Sequence, residues 1–559
     1  MEEEYSMDPA QLLVGASDFA YNPGSHSDAS AKEFLDRFPL PAIITALQTK
    51  SDVPGLENAL VACLERVFRT KFGASLIPLY MSALLMSDYA HISQSFHGLR
   101  PHNDVIHVLI EPSFCFQPFV VVGLGAESEG VRCLSCKTVF CLLENLDEAT
   151  IRQLFHGYDV YPLLLNCLVD GDEQVATASM GAIKKLADSP KGMDIVFPAN
   201  TSEPTHLRNL AARCSSLGRV RVLALIVKLF AISGSVASVI YHSNLLSLLE
   251  AEVSNTNDTL MILSVLELLY ELAEIQHSAE FLSKTTLLQL LSSIISNPSA
   301  DSILRSRSMM ISGRLMSKEN AYMYIDESCV NTVVSAIDQR FGLLESQDAD
   351  ECECALDALG QIGSSNRGAA LLLSSSPPVA RHVVNAAFDQ QGHGKQLAAL
   401  HALGNIAGET RSENNVILNG DLEESLRHLL YEAASKTPKL TPSGCFLSVL
   451  QQEPEMRLAG YRVLMGLVAR PWCLMEICSR QEIIHIVTDT YTETTKIGME
   501  ARHHCCQAIH KAFMSSSNLF SDPAFAGIAA KLQEAISKGP YLTKKHPEAQ
   551  PSVMTAERF

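Results

Sequence analysis

The sequence predicts an all-α solenoid, a stack of helical repeats about 43 residues long, and three observations point there. Leu143, Leu186, Leu229, Leu272 and Leu315 recur at one interval of 43 residues, and the series continues more loosely through Ile362, Ile406 and Leu467. A period in the forties belongs to stacked helical repeats rather than to a single-core domain. The register also holds across a whole helix face. Three residues before the anchors stand Phe140, Ile183, Ile226, Leu269, Ser312, Leu359, Leu403 and Leu464; seven before stand Cys136, Ser179, Val222, Val265, Ser308, Ala355, Ala399 and Gly460, all small or β-branched. One after come Glu144, Ala187, Phe230, Ala273, Met316, Gly363, Ala407 and Val468. Offsets of three, four, seven and eight share one stripe of an α-helix, which is the face a repeat buries against its neighbours. Finally, no composition shift divides the middle of the 559 residues, and an apolar content of 47% is ample for a continuous core.

In chain order, residues 1–32 carry Pro, Gly, Ser and acidic residues, with Leu12-Leu13-Val14 as the main apolar cluster, and are expected to be poorly ordered. Residues 33–128 hold degenerate N-terminal repeats. Helical patterns such as Leu60 to Phe68 return there without a clear 43-residue phase, and residues 100–126, rich in Val, Ile and Phe and broken by Pro101, Pro112 and Pro118, read as an insertion with some extended structure. Residues 129–434 are the regular repeats, with breakers at Asn297-Pro298 and Pro377-Pro378. The interval then jumps to 61 between Ile406 and Leu467, so roughly 17 extra residues around Pro438, Pro442 and Gly444 predict an inserted loop over 435–453. Residues 454–538 are C-terminal repeats, ending in a helix pair over Ile483 to Ser537, and 539–559 form a polar, flexible tail.

A net charge of −19 argues against a nucleic-acid backbone or an anionic membrane as the main partner, since both attract basic surfaces. Fifteen cysteines without even spacing, most inside helical stripes, read as reduced core residues. The start, Met1-Glu2-Glu3-Glu4, is acidic where a secretory signal would be basic and then apolar, and no apolar run approaches the ~18 residues that span a bilayer. Cytoplasm, with or without the nucleus, is the expected compartment.

Motifs for chemistry are weak. Val120-Val121-Val122-Gly123-Leu124-Gly125 imitates a dinucleotide turn, but Ser128 stands where the third glycine is needed. Cys133 and Cys136 lack a second ligand pair, and His503, His504, Cys505 and Cys506 point about 100° apart along a helix, so no metal is expected. With no nucleophile elbow, phosphate loop or kinase signature, neither catalysis, a cofactor nor a small-molecule substrate is expected. The remaining feature is a polar column one residue before each anchor: Lys185, Lys228, Glu271, Arg314, Gln361 and Asn405. One turn earlier stand Glu267, Asp357, His401 and Arg462. Stacked helices set equivalent positions about 10 Å apart, so these residues predict a polar ladder. Either it is a solvated face, or part of it lines a concave groove and grips a partner chain.

Ala402-Leu403-Gly404-Asn405-Ile406-Ala407-Gly408-Glu409 resembles the third helix of armadillo repeats, as found in nuclear import adaptors. Those adaptors pair the asparagine with a tryptophan four residues earlier; here that position is His401, and the single tryptophan is Trp472, so the import-adaptor reading fails. A closer similarity runs through Glu455 to Leu464 and Pro471-Trp472, through Pro523, Phe525 and Gly539-Pro540-Tyr541, and through Ala355 to Ser364. These stretches resemble the 26S proteasome non-ATPase regulatory subunit 5 family over roughly Glu129 to Tyr541. The resemblance implies an armadillo/HEAT-like right-handed superhelix. It also implies a chaperone that binds the C-terminal helical domain of one proteasome base ATPase subunit, holds an assembly module with associated base subunits, leaves before the mature particle forms, and restrains docking onto the core particle. The alternative that the fold alone permits is another armadillo-type adaptor, such as a nucleotide-exchange factor for a heat-shock chaperone or a ubiquitin-pathway scaffold.

Overall fold

The repeated register reaches further than the apolar stripe: fourteen residues before Leu186, Leu229, Leu272, Leu315, Ile362 and Ile509, all buried, stand Asp172, Ser215, Asp258, Asp301, Asp348 and Thr495, and each side chain caps the helix that follows. Asp172 accepts from Val175 N at 2.8 Å, Ser215 from Gly218 N at 3.2 Å, Asp258 from Met261 N at 3.0 Å and Asp301 from Ile303 N at 2.8 Å. A cap satisfies backbone donors that the first turn otherwise leaves open, which is worth about 1 kcal/mol at each helix start.

The computed structural model describes residues 8–22, 27–48, 53–73, 121, 123–145, 160–198, 206–255, 258–344, 348–412, 416–516, 525 and 527–541, and these are helical or turn throughout. They fall into two compact units, Met1–Leu249 and Glu250–Phe559. The chain runs through α1 (Pro9–Tyr21), α2 (Asp28–Arg37), α3 (Leu40–Gln48), α4 (Leu56–Arg69), α5 (Glu129–Asn145), α6 (Val160–Asp170), α7 (Glu173–Ala187), α8 (Pro190–Val196), α9 (His206–Arg213), α10 (Ser216–Phe230), α11 (Gly234–His242) and α12 (Leu246–Ser254). It continues with α13 (Thr259–Glu274), α14 (Ser278–Leu282), α15 (Leu287–Ser296), α16 (Ser302–Met316), a 3-10 turn (Glu319–Met323), α17 (Glu327–Leu344), α18 (Ala349–Ile362), α19 (Asn366–Ser374) and α20 (Ala380–Phe388). The last helices are α21 (His393–Ala407), α22 (Gly420–Ser435), α23 (Pro442–Leu450), α24 (Pro454–Leu467), α25 (Pro471–Ser479), α26 (Gln481–Thr488), α27 (Lys496–Ser515) and α28 (Ile528–Ser537).

All eight predicted anchors are buried, seven of them completely. Each such leucine or isoleucine contributes about 1.5–3 kcal/mol when fully removed from water. In the first unit α5 packs on α7 and α7 on α10; in the second α13, α16, α18, α21, α24 and α27 pack each on the next, giving an α-solenoid in which one long helix per repeat forms the core layer. The layer continues to Ile509, buried on α27, one repeat beyond the last anchor read from the sequence.

Small residues set how closely these helices approach. A Cβ on Gly313 of α16 would stand 2.8 Å from Ala358 Cα of α18, and one on Gly360 of α18 would stand 2.6 Å from Ala402 Cα of α21. Cationic side chains then close the helix C-termini. Lys318 Nζ donates to the carbonyls of Ala273 and Ile275, both at 2.6 Å. Arg411 donates from Nη2 to Gly363 O at 2.6 Å and Ile406 O at 2.9 Å, joining the ends of α18 and α21. Arg470 donates to Ala407 O at 3.0 Å and Gly466 O at 2.7 Å while Glu423 takes its Nε at 2.6 Å. A charge on unpaired end carbonyls, with the helix dipole behind them, is the favourable place for a buried cation. Burial still pulls Lys318 down to about 8 and Arg411 down to about 10. Deeper still, Glu351 accepts from Arg305 Nε at 2.7 Å and Arg340 Nε at 2.7 Å. Burial raises the affinity of Glu351 for a proton, but the two guanidiniums outweigh it and hold the carboxyl below its usual range.

Two sequence expectations are corrected. Residues 1–32 contain α1 and the start of α2: Asp8 caps α1, Pro9 opens it, and Leu12, Ala16 and Ala20 bury one stripe as α1 packs on α4. Arg66 fixes the end of α1 through Asn22 O at 2.9 Å. Residues 435–453 are not only a loop, because Thr441 caps α23 by accepting from Gly444 N at 3.2 Å and Phe446, Val449 and Leu450 bury its face. Most of the Val/Phe-rich insertion lies outside the described residues, and its described end, Val121, Gly123 and Leu124, is helical. So does most of the expected tail; Gly539 to Tyr541 turn back on α27, where Arg502 Nη2 donates to Pro540 O at 3.4 Å and Tyr541 hydrogen-bonds Glu500.

Replacing Gly360 with Leu should destabilise the second unit by about 1–3 kcal/mol in urea unfolding, because the side chain has only the Ala402 backbone to enter. Glu351→Gln should cost about 3–5 kcal/mol in the same assay by leaving two buried guanidiniums without their carboxylate.

Candidate interaction face

The anchor register that buries each leucine turns the preceding residue toward the flank of its helix, and neighbouring repeats decide what that residue meets. On α13, Glu267 and Glu271 are exposed, as the ladder predicts. Glu267 Oε1 takes Arg307 Nε of α16 at 2.9 Å. Arg314 of α16 reaches back to α13 as well, with its guanidinium 4.0 Å from the Tyr270 ring centre and 2.6 Å from Glu274. Stacking and pairing together fix a side chain that either contact alone would hold weakly.

On α18 and α21 the ladder is half-buried, so Asp357, Gln361, His401 and Asn405 do not form a fully solvated face. Gln361 Nε2 donates to Asp357 Oδ2 at 2.7 Å, one turn apart on α18, while Gln361 Oε1 is buried with no donor among the described residues. Burial pushes the Asp357 carboxyl up, and the Gln361 amide opposes that shift. Arg462 of α24 is the hub of the face. Its Nη1 lies 2.7 Å from His401 Nδ1, its Nη2 donates to Asn405 Oδ1 at 3.0 Å, and Nη2 also donates to Glu409 Oε2 at 2.9 Å. A guanidinium only donates, so His401 Nδ1 must be the accepting, unprotonated nitrogen. Burial first, and then the Arg462 charge, hold His401 below its ordinary range, in agreement with a neutral ring.

In the first unit Lys185 of α7 is half-buried, 3.9 Å from Glu144 of α5, and Lys228 of α10 is half-buried as well. The structure thus brings Asp357 with Gln361, and His401 with Asn405 and Arg462, into direct contact, and ties Arg314 to partners the ladder did not include. Tyr270, Glu274, Arg307 and Glu409 are the members that sequence reasoning missed. Arg307 and Glu267 lie eight and five residues before their anchors, so a charge pair between adjacent repeats was there to be found.

The arrangement offers fixed charges and amides, without a nucleophile beside a base. Among the described residues no three His, Cys, Asp or Glu side chains gather around a metal-sized space. The thiols of the Cys motifs are buried; burial raises Cys133, Cys505 and Cys506, the last to about 11, and Cys136 is raised first by its hydrogen bond with Cys167 and then by burial. No described helix is long and apolar enough to cross a membrane.

Residues 116–557 match the proteasome non-ATPase 26S subunit family. The 26S proteasome non-ATPase regulatory subunit 5 of Bos taurus is 20% identical over 426 residues, which is 76% of this chain and 80% of that protein. The Homo sapiens subunit of the same name is 21% identical over 426 residues with the same coverage. Among solved structures, an engineered protein matches with a TM-score of 0.40 at 14% identity, covering 75% of this chain and 98% of that one. A designed armadillo repeat protein in complex with a peptide matches with a TM-score of 0.35 at 14% identity, covering 47% and 98%.

Replacement of His401 by Gln tests the neutral ring. A base whose folded pKa is depressed stays neutral in the native state while the unfolded chain takes a proton, so the native state loses stability as pH falls below ~6.5. The melting midpoint of His401→Gln should therefore gain on the parent protein between about pH 7 and pH 5. A gap independent of pH would refute the accepting nitrogen.

Proposed function

The chain belongs to the proteasome non-ATPase 26S subunit family, with the proteasome-related role that membership carries, and from that premise we propose that it is a chaperone for assembly of the regulatory particle base. It takes the C-terminal domain of one base ATPase subunit on the ladder face, accompanied by associated base subunits, restrains premature docking onto the core particle, and works by binding rather than catalysis. It acts in the cytoplasm, with or without the nucleus. The observation that carries the reading is the family match over residues 116–557.

The physics of the face supports it. The contact residues of this proposal are Glu271, Arg314, Asp357, Gln361, His401, Asn405 and Arg462 in the second unit; in the first unit, taken by itself, Lys185 and Lys228 hold the same register and are the candidates there. Side chains already held by Tyr270, Glu274 and Glu409 lose little rotamer entropy when a folded domain docks, a saving of about 0.5–1.5 kcal/mol for each one immobilised in advance. A face of mixed polarity also suits a partner that must leave, since permanent interfaces are more apolar.

Affinity capture of the tagged full chain from cell extract, followed by mass spectrometry, should recover base ATPase and non-ATPase subunits without stoichiometric core particle. Mature proteasome alone, or no base subunit, contradicts the proposal. Glu267→Lys combined with Glu271→Arg should weaken that capture about tenfold while costing no more than about 1 kcal/mol in urea unfolding, because both side chains are exposed and the lost pair with Arg307 is a surface one.

A further inference from the structure

The 61-residue interval between Ile406 and Leu467 does more than add a helix. Thr437, Pro438 and Lys439 of the turn before α23, with Cys445, Ser448 and Val449 of α23 itself, form one wall of a cavity of about 560 Å³. The opposite wall comes from the end of α20 and the start of α21, and Gln390 Nε2 bridges the two by donating to Ser448 Oγ at 3.0 Å. Pockets that hold small ligands run from about 300 to 1,000 Å³, so this one has room for a few side chains of a docked segment. The floor is apolar, with Phe388, Ala433 and Val449 buried.

The charge around this cavity departs from the rest of the chain. The chain carries −19 overall, and between Lys318 and Lys496 the sequence has only three lysines, Lys395, Lys436 and Lys439. All three line the cavity. Asp389 also lines it, 3.8 Å from Lys395 Nζ, and Glu432 holds Lys436 Nζ at 2.7 Å from outside. Lys439 has no ion pair among the described residues. His382 is already committed to Asp338 at 2.9 Å and stacks on Phe341 with ring centres 4.4 Å apart. Three ammonium groups against two carboxylates leave one positive charge in surplus. That balance fits a carboxylate, whereas a di- or triphosphate would bring charge that Asp389 repels. At the mouth, Asn385 and Gln391 are exposed amides, each able to donate and accept, as a peptide backbone requires.

We propose that this cavity docks a short acidic segment of a partner protein, with Lys436 and Lys439 taking its carboxylate and Asn385 and Gln391 pairing with its backbone. The site lies on the α20 to α23 side of the repeats, not among the ladder residues, and does not rest on the chaperone reading.

Selection of phage-displayed random octapeptides on the immobilised full chain, and in parallel on the chain carrying Lys436→Glu and Lys439→Glu, tests it. Asp and Glu should be enriched on the parent protein and not on the variant. A synthesised enriched peptide, followed by fluorescence anisotropy, should bind about tenfold more weakly to the charge-reversed chain, and likewise when its own carboxylates are replaced by amides. Ser448→Trp, which fills the cavity without touching its charge, should weaken it as well, whereas Glu267→Lys with Glu271→Arg should not. Selected peptides without acidic excess, equal binding to the charge-reversed chain, or displacement by ATP at concentrations below those of the peptide would each overturn the proposal.

Discussion

Everything in the second unit depends on how near one core helix comes to the next. Glycine within a helix costs about 1 kcal/mol relative to alanine, yet Gly313, Gly360 and Gly466 all sit in core helices. Their reward is backbone contact. Each faces the next or preceding helix at a distance where a Cβ has no room: Gly466 would place one 2.9 Å from Ala407 Cβ. Dispersion contacts at that range are small singly but numerous, and they recur as α16, α18, α21 and α24 pack each on the next. The stripe of buried leucines fills the space beneath; the small residues fix the spacing.

Close approach makes helix ends crowded, and crowding excludes water from end carbonyls. The cations described above answer that need, and they do so between repeats rather than within them. Arg411 serves α18 and α21 together, and Arg470 serves α21 and α24. The same logic shapes the interaction face. Side chains that a looser array would leave in solvent are drawn against the adjacent repeat, where Arg462 ties three residues of the repeat before it.

Much of this was legible in the sequence, for one physical reason: a repeat array writes each local rule several times. The anchors and their helical offsets proved buried, half-buried Phe140 and exposed Glu144 excepted, and the cap column at Asp172, Ser215, Asp258 and Asp301 was equally open to reading, at the same 43-residue interval. Local cap signals were also present where order was not expected, as Asp8-Pro9 before α1 and Thr441-Pro442 before α23. What could not be read was which long side chain meets which. Arg470 lies 47 residues from Glu423 and 63 from Ala407, and nothing near it in the sequence names either partner. The ladder could therefore be found as a column while its half-burial could not, because burial of Asp357 and His401 comes from neighbours and not from their own helix. The cavity beside α23 was invisible for the same reason: an interval that is too long announces extra chain without saying what space it encloses.

The paired carbonyl ties of Arg411 and Arg470 carry one more consequence. Helices with matching apolar stripes are close to interchangeable, so a stack held by leucines alone would have little to prevent skipped or swapped layers during folding. A guanidinium that reaches two specified helix ends, and Glu423 paired with Arg470 at the second of these joints, make the two junctions individual. The order of the layers is thereby written in polar contacts, while the apolar seam supplies the cohesion that any order would share.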